Sequence, residues 1–391
     1  MKKIATILCL FSILLSCGKK EITFPTSTTT GISENEILIG SSSPLTGPAN
    51  FLGTQLVQGS QSYFNKINEN GGINGRKIKM ITLDDKYNPP SAIENSIKLI
   101  KEDKVFILFD YVGTPTAKVV INTLNIEKIP LIGVFTGAEF LRNPLQPYII
   151  NIRASYFMET EAIVDYWIKS GKKRIAVFMQ DDAFGQAVLS GTQLALARHK
   201  LEPLGIGKFK RGEMPDQKEV DLLSGLKPDA IIMVGTYKPL AKFVKMAKSS
   251  GLADIEFHTV SFVGSEAFAK ELTTLGNNVD ANVFVTQVVP SPYDIKNELS
   301  NEFNNLYMQY YPKESPNYVA FEGFINAKFL VKAIERCGKD ISREKLLHIF
   351  RKMHDYNAGT GLPSVISPDS NSIFEKVYIS KIENGKFTVL H

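Results

Sequence analysis

The sequence predicts an α/β protein of two lobes, each a doubly wound parallel sheet, joined by a hinge. Three observations carry this expectation. From Glu36 onward, apolar runs of strand length alternate with amphipathic stretches of about 10–15 residues, the pattern of βαβ units. The alternation comes in two series, and roughly 355 residues follow Glu36, more than one hydrophobic core commonly serves. Pro-rich breaks, "NPLQPY" and "VVPSPYD", stand where the chain would pass from one series to the other.

Ahead of the first strand, Lys2 and Lys3 precede an apolar core from Ile4 to Leu15. That core is shorter than the roughly 20 apolar residues that span a bilayer, and it fits a secretory leader over residues 1–16. The run ends "LLSC", Leu14 to Cys17, which resembles the lipobox of bacterial lipoproteins. The resemblance implies cleavage before Cys17 and acylation of Cys17, hence an extracytoplasmic protein anchored by lipid in the cell envelope. Residues 17–35 are rich in Ser and Thr with little to bury, and are expected to be a lipidated tether. Fully extended, residues 18–35 reach at most about 60 Å. Of the three cysteines, Cys9 lies in the leader and Cys17 is the proposed anchor. Cys337 is then alone in the body, where its apolar helical surroundings predict a buried core thiol.

In chain order, the first series begins with the strand "ILIGSSS" and a helix from Gln55 to Asn68. It continues with the strand "KIKMITLDD" and a helix from Ser91 to Glu102, whose Ile93, Ile97 and Ile100 share a face. "VFILFD" and a helix from Thr114 to Asn125 follow, then an apolar run from Ile129 to Phe135 that opens into Thr136 and Gly137. A helix from Met158 to Lys169 introduces the second series, in which "RIAVFMQ", "LGIGKF", "DAIIMVG", "EFHTVSFVG" and "NVFVTQVV" alternate with helices. The remainder reads as helices at Ile295–Tyr310, Tyr318–Cys337 and Ser342–His354, and two short strands near Ile373–Ile379 and Lys386–Leu390. The expected division puts residues 36–154 and 288–368 in lobe 1, and residues 155–287 and 369–391 in lobe 2.

The formal net charge is +5, with acids and bases interspersed. The densest basic patch, "KFKRG" at Lys208–Gly212, reads as a solvated strand end, so no nucleic-acid partner is expected. The five histidines form no metal-binding spacing, and no G-x-S-x-G elbow or phosphate-binding glycine loop is present. Two S-x-x-K matches, from Ser170 and Ser342, fall in a loop and at a helix N-cap. No catalytic residue, metal or cofactor is therefore expected.

What remains is a set of strand ends bearing small polar groups, where an open parallel sheet binds its ligands. Ser41–Ser43 with Thr46 and Gly47, Gly113–Thr114 and Thr136–Gly137 lie in the first lobe; Phe184 and Tyr237 face them from the second. Donors on one wall and rings on the other suit a small ligand with an anionic end and an apolar body.

The stretches "SSSPLTGPANFLG", "INENGGINGRKIKMITLDDKYNPPSAI", "IPLIGVFTGAEFLR" and "QDDAFGQ" together resemble the branched-chain amino-acid-type substrate-binding proteins of ABC transporters, the type I periplasmic binding proteins. The resemblance runs from about Glu36 to the C-terminus. It implies a monomer that takes a small carboxylate, amide or amino acid between its lobes and delivers it to a membrane permease. It assigns the carboxylate-binding hydroxyl to Thr114, further contacts to Phe135, Thr136 and Gly137, and covering rings to Phe184 and Tyr237. The family's first-loop ring falls near Leu52, which is aliphatic, and a hydroxyl often found after the fourth strand is replaced by Gly137. The acid that pairs with an amino-acid ligand's ammonium falls on Ser261, with Glu266, Asp181 and Asp182 as other candidates. Two further readings stay open: a sensory receptor with the same lobes and no permease, and an envelope enzyme of α/β type.

Overall fold

The structure, a computed structural model, describes residues 29–390. The leader, Cys17 and most of the expected tether lie outside the described residues.

The first sheet contains β1 (Glu36–Ser43), β2 (Lys77–Asp84), β3 (Ile107–Phe109), β4 (Leu131–Ile132) and β5 (Ile149–Ile150) in the order β2-β1-β3-β4-β5. All of its pairings are parallel. The intervening helices are α1 (Asn50–Glu69), α2 (Pro89–Lys101) and α3 (Thr114–Glu127). The second series runs α4 (Tyr156–Lys169), β6 (Ile175–Gln180), α5 (Ala183–Arg198), β7 (Ile206–Phe209), α6 (Gln217–Gly225), β8 (Ala230–Val234), α7 (Tyr237–Ser249), β9 (Glu256–Thr259), α8 (Ser265–Thr274) and β10 (Val283–Gln287). Helices α9 (Glu298–Tyr310), α10 (Tyr318–Cys337) and α11 (Arg343–Phe350) return to the first sheet, where α10 packs along α1. Strands β11 (Tyr378–Glu383) and β12 (Lys386–Leu390) complete the second sheet in the order β12-β11-β10-β9-β8-β6-β7, parallel except for the last two strands added.

Local chemistry accounts for the main boundaries. The Asn88 side chain accepts from Ser91 N ahead of Pro89 at the start of α2, and Asp182 accepts from the backbone N–H of Phe184 and Gly185 at the start of α5. The strand expected over Ile129–Phe135 is interrupted at Gly133, whose φ is +73°. A Cβ there would lie 2.7 Å from Asp110 Oδ1, so only glycine fits, and the ladder resumes as a single bridge between Phe135 and Val112. "EFHTVSFVG" likewise ends its strand at Thr259 and turns as a short 3₁₀ segment over Ser261–Val263.

Three expectations about segment limits need correcting. Residues 29–35, expected to belong to the tether, are tied to the first lobe: Thr29 Oγ1 donates to Ile341 O and Leu38 N donates to Gly31 O. The expected helix over Ser342–His354 stops at Phe350 and continues only as a 3₁₀ turn at Met353–Asp355. Residues 369–374 stay with the first lobe: Asn151 N donates to Asn371 O, Ile373 N donates to Asn151 O, and Ile373 and Phe374 enter that lobe's core. The last crossing therefore lies between Phe374 and Tyr378. Cys337 is buried, and burial pushes its thiol up to about 12.

Candidate functional site

The C-terminal ends of both sheets face one another across the crossing segments, and the lobes are shut. Tyr237 OH donates to Asn50 Oδ1 at 3.1 Å, and Leu52 packs on Gly264. Glu266 Oε1 accepts from Tyr318 N at 2.9 Å and from Tyr293 OH at 2.6 Å.

On the first-lobe wall, α3 starts at Gly113 with no side-chain cap. Its first residue, Thr114, is buried and shares a 2.7 Å hydrogen bond with Thr136 Oγ1, which in turn is 3.2 Å from Tyr156 OH. Three hydroxyls thus converge beside a helix N-terminus, an arrangement that favours an anionic or carbonyl group. Gly137 makes this possible: its carbonyl accepts from Tyr156 N at 2.7 Å, and a Cβ on it would lie 2.6 Å from that nitrogen. The glycine at the end of the "VFTG" turn admits the crossing chain, and the crossing chain brings Tyr156 to Thr136. Burial pushes the Tyr156 phenol up to about 12, so it remains a neutral donor.

Rings from both lobes close over this group. Phe262 in the 3₁₀ turn of lobe 2 lies 4.7 Å from Phe184, 5.6 Å from Phe135 and 6.0 Å from Tyr87, measured between centroids. Phe184 also meets Tyr156 at 5.4 Å. Tyr87 reaches the cleft because Lys86 and Tyr87 both adopt positive φ, held by Asp84 and Asp85 accepting from their backbone N–H groups.

Next to the rings lies a buried charge cluster. The Arg153 guanidinium sits 4.8 Å from the centroid of Phe135, bonds Ser261 Oγ, and ion-pairs with Glu159 at 3.4 Å and Glu322 at 3.5 Å. Glu159 also accepts from Ser261 N and Thr286 Oγ1. Burial pushes Glu322 up to about 7 despite the opposing pull of Arg153. Arg153 Nε and Nη1 have no hydrogen-bond partner among the described residues.

Thr114, Phe135, Thr136, Gly137 and Phe184 therefore come together at one place. Ser261 lies beside them, engaged with Glu159 and Arg153. Tyr237 sits at the mouth, edge-on to Phe51, and not in the ring cluster. Thr46 does not join them: it is exposed, and its hydroxyl and N–H both bond Asp84. Of the acids considered for an ammonium, Asp181 is exposed and pairs with Lys208, Asp182 caps α5, and Glu266 spans the lobes. Sequence reasoning missed Tyr87, Arg153, Tyr156, Glu159, Phe262 and Glu322. The "DKYNPP" turn and the Ser155 cap before Tyr156 offered signals for two of them; the charge cluster offered none.

A periplasmic binding protein family model matches residues 36–386. The chain belongs to the periplasmic binding protein family. Within it, this binding protein is of the branched-chain amino-acid type: it is 30% identical to a possible leucine/isoleucine/valine-binding protein from Rhodopirellula baltica, with 94% of this chain and 98% of that one covered and a TM-score of 0.85. An amino acid binding protein from Pseudomonas aeruginosa is 24% identical over 56% of this chain, which spans 58% of that relative's length. A fatty acid ABC transporter substrate-binding protein from Thermomonospora curvata shares the fold at 21% identity, with 93% of each chain covered and a TM-score of 0.83. The relatives of this binding protein are solute-binding proteins, and the family works outside the cytoplasm.

Proposed function

We propose that the protein captures a small carboxylate or amide between its lobes and hands it to an ABC importer. The observation that supports this most is the convergence of Thr114, Thr136 and Tyr156 at the uncapped start of α3, under rings supplied by both lobes. A ligand there touches both walls only when the lobes are shut, so binding free energy favours closure. The ligand's other end meets Phe262, Phe184 and Phe135. A buried ammonium would need an acid: Asp181 pairs with Lys208, Asp182 caps α5, the cleft acids Glu159 and Glu322 share Arg153, and Glu266, at the lobe contact, has only its Oε2 without a partner. An ammonium at the ring cluster would have to compete with Arg153 for Glu159 or Glu322, which disfavours an essential α-amino group there.

Calorimetric titration with matched pairs tests this: leucine against 4-methylpentanoate, and phenylalanine against 3-phenylpropionate. The deaminated member of a pair is expected to bind at least as well. Binding by the amino acids alone would reinstate an amino-acid receptor. Thr114→Val is expected to weaken binding by about 1–3 kcal/mol with little change in the melting temperature of the free protein; unchanged affinity would move the site elsewhere. The protein is proposed to act as a lipid-anchored monomer, acylated at Cys17. A fatty-acid analogue should label the wild type and fail to label Cys17→Ala; label on neither would refute the anchor, and label on both would move it away from Cys17.

A further inference from the structure

A groove of about 230 Å³ lies between residues of the two lobes that neighbour the site in the sequence. Lys118, Glu139 and Phe140 line it from lobe 1; Phe157, Ala183, Gln186, Ala187 and Ser190 line it from the other side. Every wall continues an element of the site. Lys118 is one helical turn beyond Thr114 on α3, Phe140 follows Thr136–Gly137, Phe157 follows Tyr156, and Ala183 precedes Phe184. Phe140 and Ala187 pack against the apolar cluster that contains Tyr156 and Phe184. The two rings of the groove are half-buried, and the α5 wall is kept low by Ala and Ser. Lys118 Nζ stands 5.9 Å from the Phe140 centroid, and Lys118, Glu139 and Gln186 give the groove polar edges around an apolar patch of Phe140, Phe157, Ala183 and Ala187.

We infer that this groove is a subsite for the distal chain of an elongated ligand, a straight-chain or aryl-chain monocarboxylate longer than a branched-chain amino acid. The inference rests on the carboxylate reading above. The head group sits at Thr114, Thr136 and Tyr156, and the chain leaves past Phe184 between the shut lobes to lie against Phe140 and Phe157.

The test is a calorimetric series of straight-chain monocarboxylates from butanoate to decanoate on the wild type and on Ala187→Leu, which fills the groove from a half-buried helical position. Each methylene entering the groove should tighten binding about fourfold. In Ala187→Leu butanoate should bind as in the wild type, while the gain with length should disappear beyond about hexanoate. Phe140→Ala, on the opposite wall, should reduce the gain per methylene without changing butanoate. A wild type that binds the short acids with no gain in length overturns the groove alone, as does a gain untouched by both variants. A protein that binds no carboxylate of any length overturns the head-group reading and the groove with it.

Discussion

Replacing Arg153 by methionine is expected to destabilise the protein by about 3–5 kcal/mol, because it leaves two buried carboxylates without their cation. Glu159 and Glu322 approach the guanidinium from α4 and α10, elements packed on different sheets, and both are almost wholly excluded from solvent. Adding Glu322→Gln to the variant should recover part of the loss, since one uncompensated charge goes with it. Chemical denaturation measures both, and a loss below about 1 kcal/mol for the single variant would mean that the cluster is not acting as a unit. Glu322, together with two buried acids outside the cluster, sets a pH dependence. Burial raises Glu322 and Glu266 to about 7 and Asp85 to about 6, so each holds its proton more tightly in the folded chain than in the unfolded one. Their contribution is present below the unfolded carboxylate range and is lost as pH rises towards 7. The melting temperature should therefore fall between pH 5 and pH 8, and Glu322→Gln should flatten that fall.

Phe262→Ala is expected to cost a similar amount, about 3–5 kcal/mol, as for other large-to-small changes at filled sites. Its effect should divide between the second lobe and closure. Phe262 is fully buried, and of the three rings it meets, Tyr87 and Phe135 belong to the first lobe while Phe184 belongs to its own. Hydrogen exchange resolves the two parts. Backbone amides around Phe135 and Tyr87 should exchange faster in the variant, although their own lobe is unaltered. Faster exchange confined to the second lobe would show that the ring serves only its own fold.

The two sheets and most helices were legible in the sequence because period and length specify them: α10 was expected at Tyr318–Cys337 and occurs there. The errors share a cause, which is that tertiary contacts overrode local pattern. Gly133 interrupts an apolar run because Asp110 occupies the space beside it, and residues 369–374 follow Asn151 along the first sheet before crossing. The candidate site was half legible. Thr114, Phe135, Thr136, Gly137 and Phe184 lie at strand and helix ends that the topology brings together. Arg153, Glu159 and Glu322 are scattered over three segments, and only the folded chain makes them neighbours. Thr46 sits at a polar strand end like the others, yet Asp84 is close enough to claim it.

Small-angle X-ray scattering, with and without the best-binding carboxylate, tests most directly the claim that a ligand is held between lobes that close on it. The account predicts a smaller radius of gyration on saturation, a scattering curve matching the shut arrangement, and loss of that change in Thr114→Val at the same ligand concentration. Saturable binding with an unchanged radius of gyration, and with scattering that fits separated lobes in both states, would contradict it.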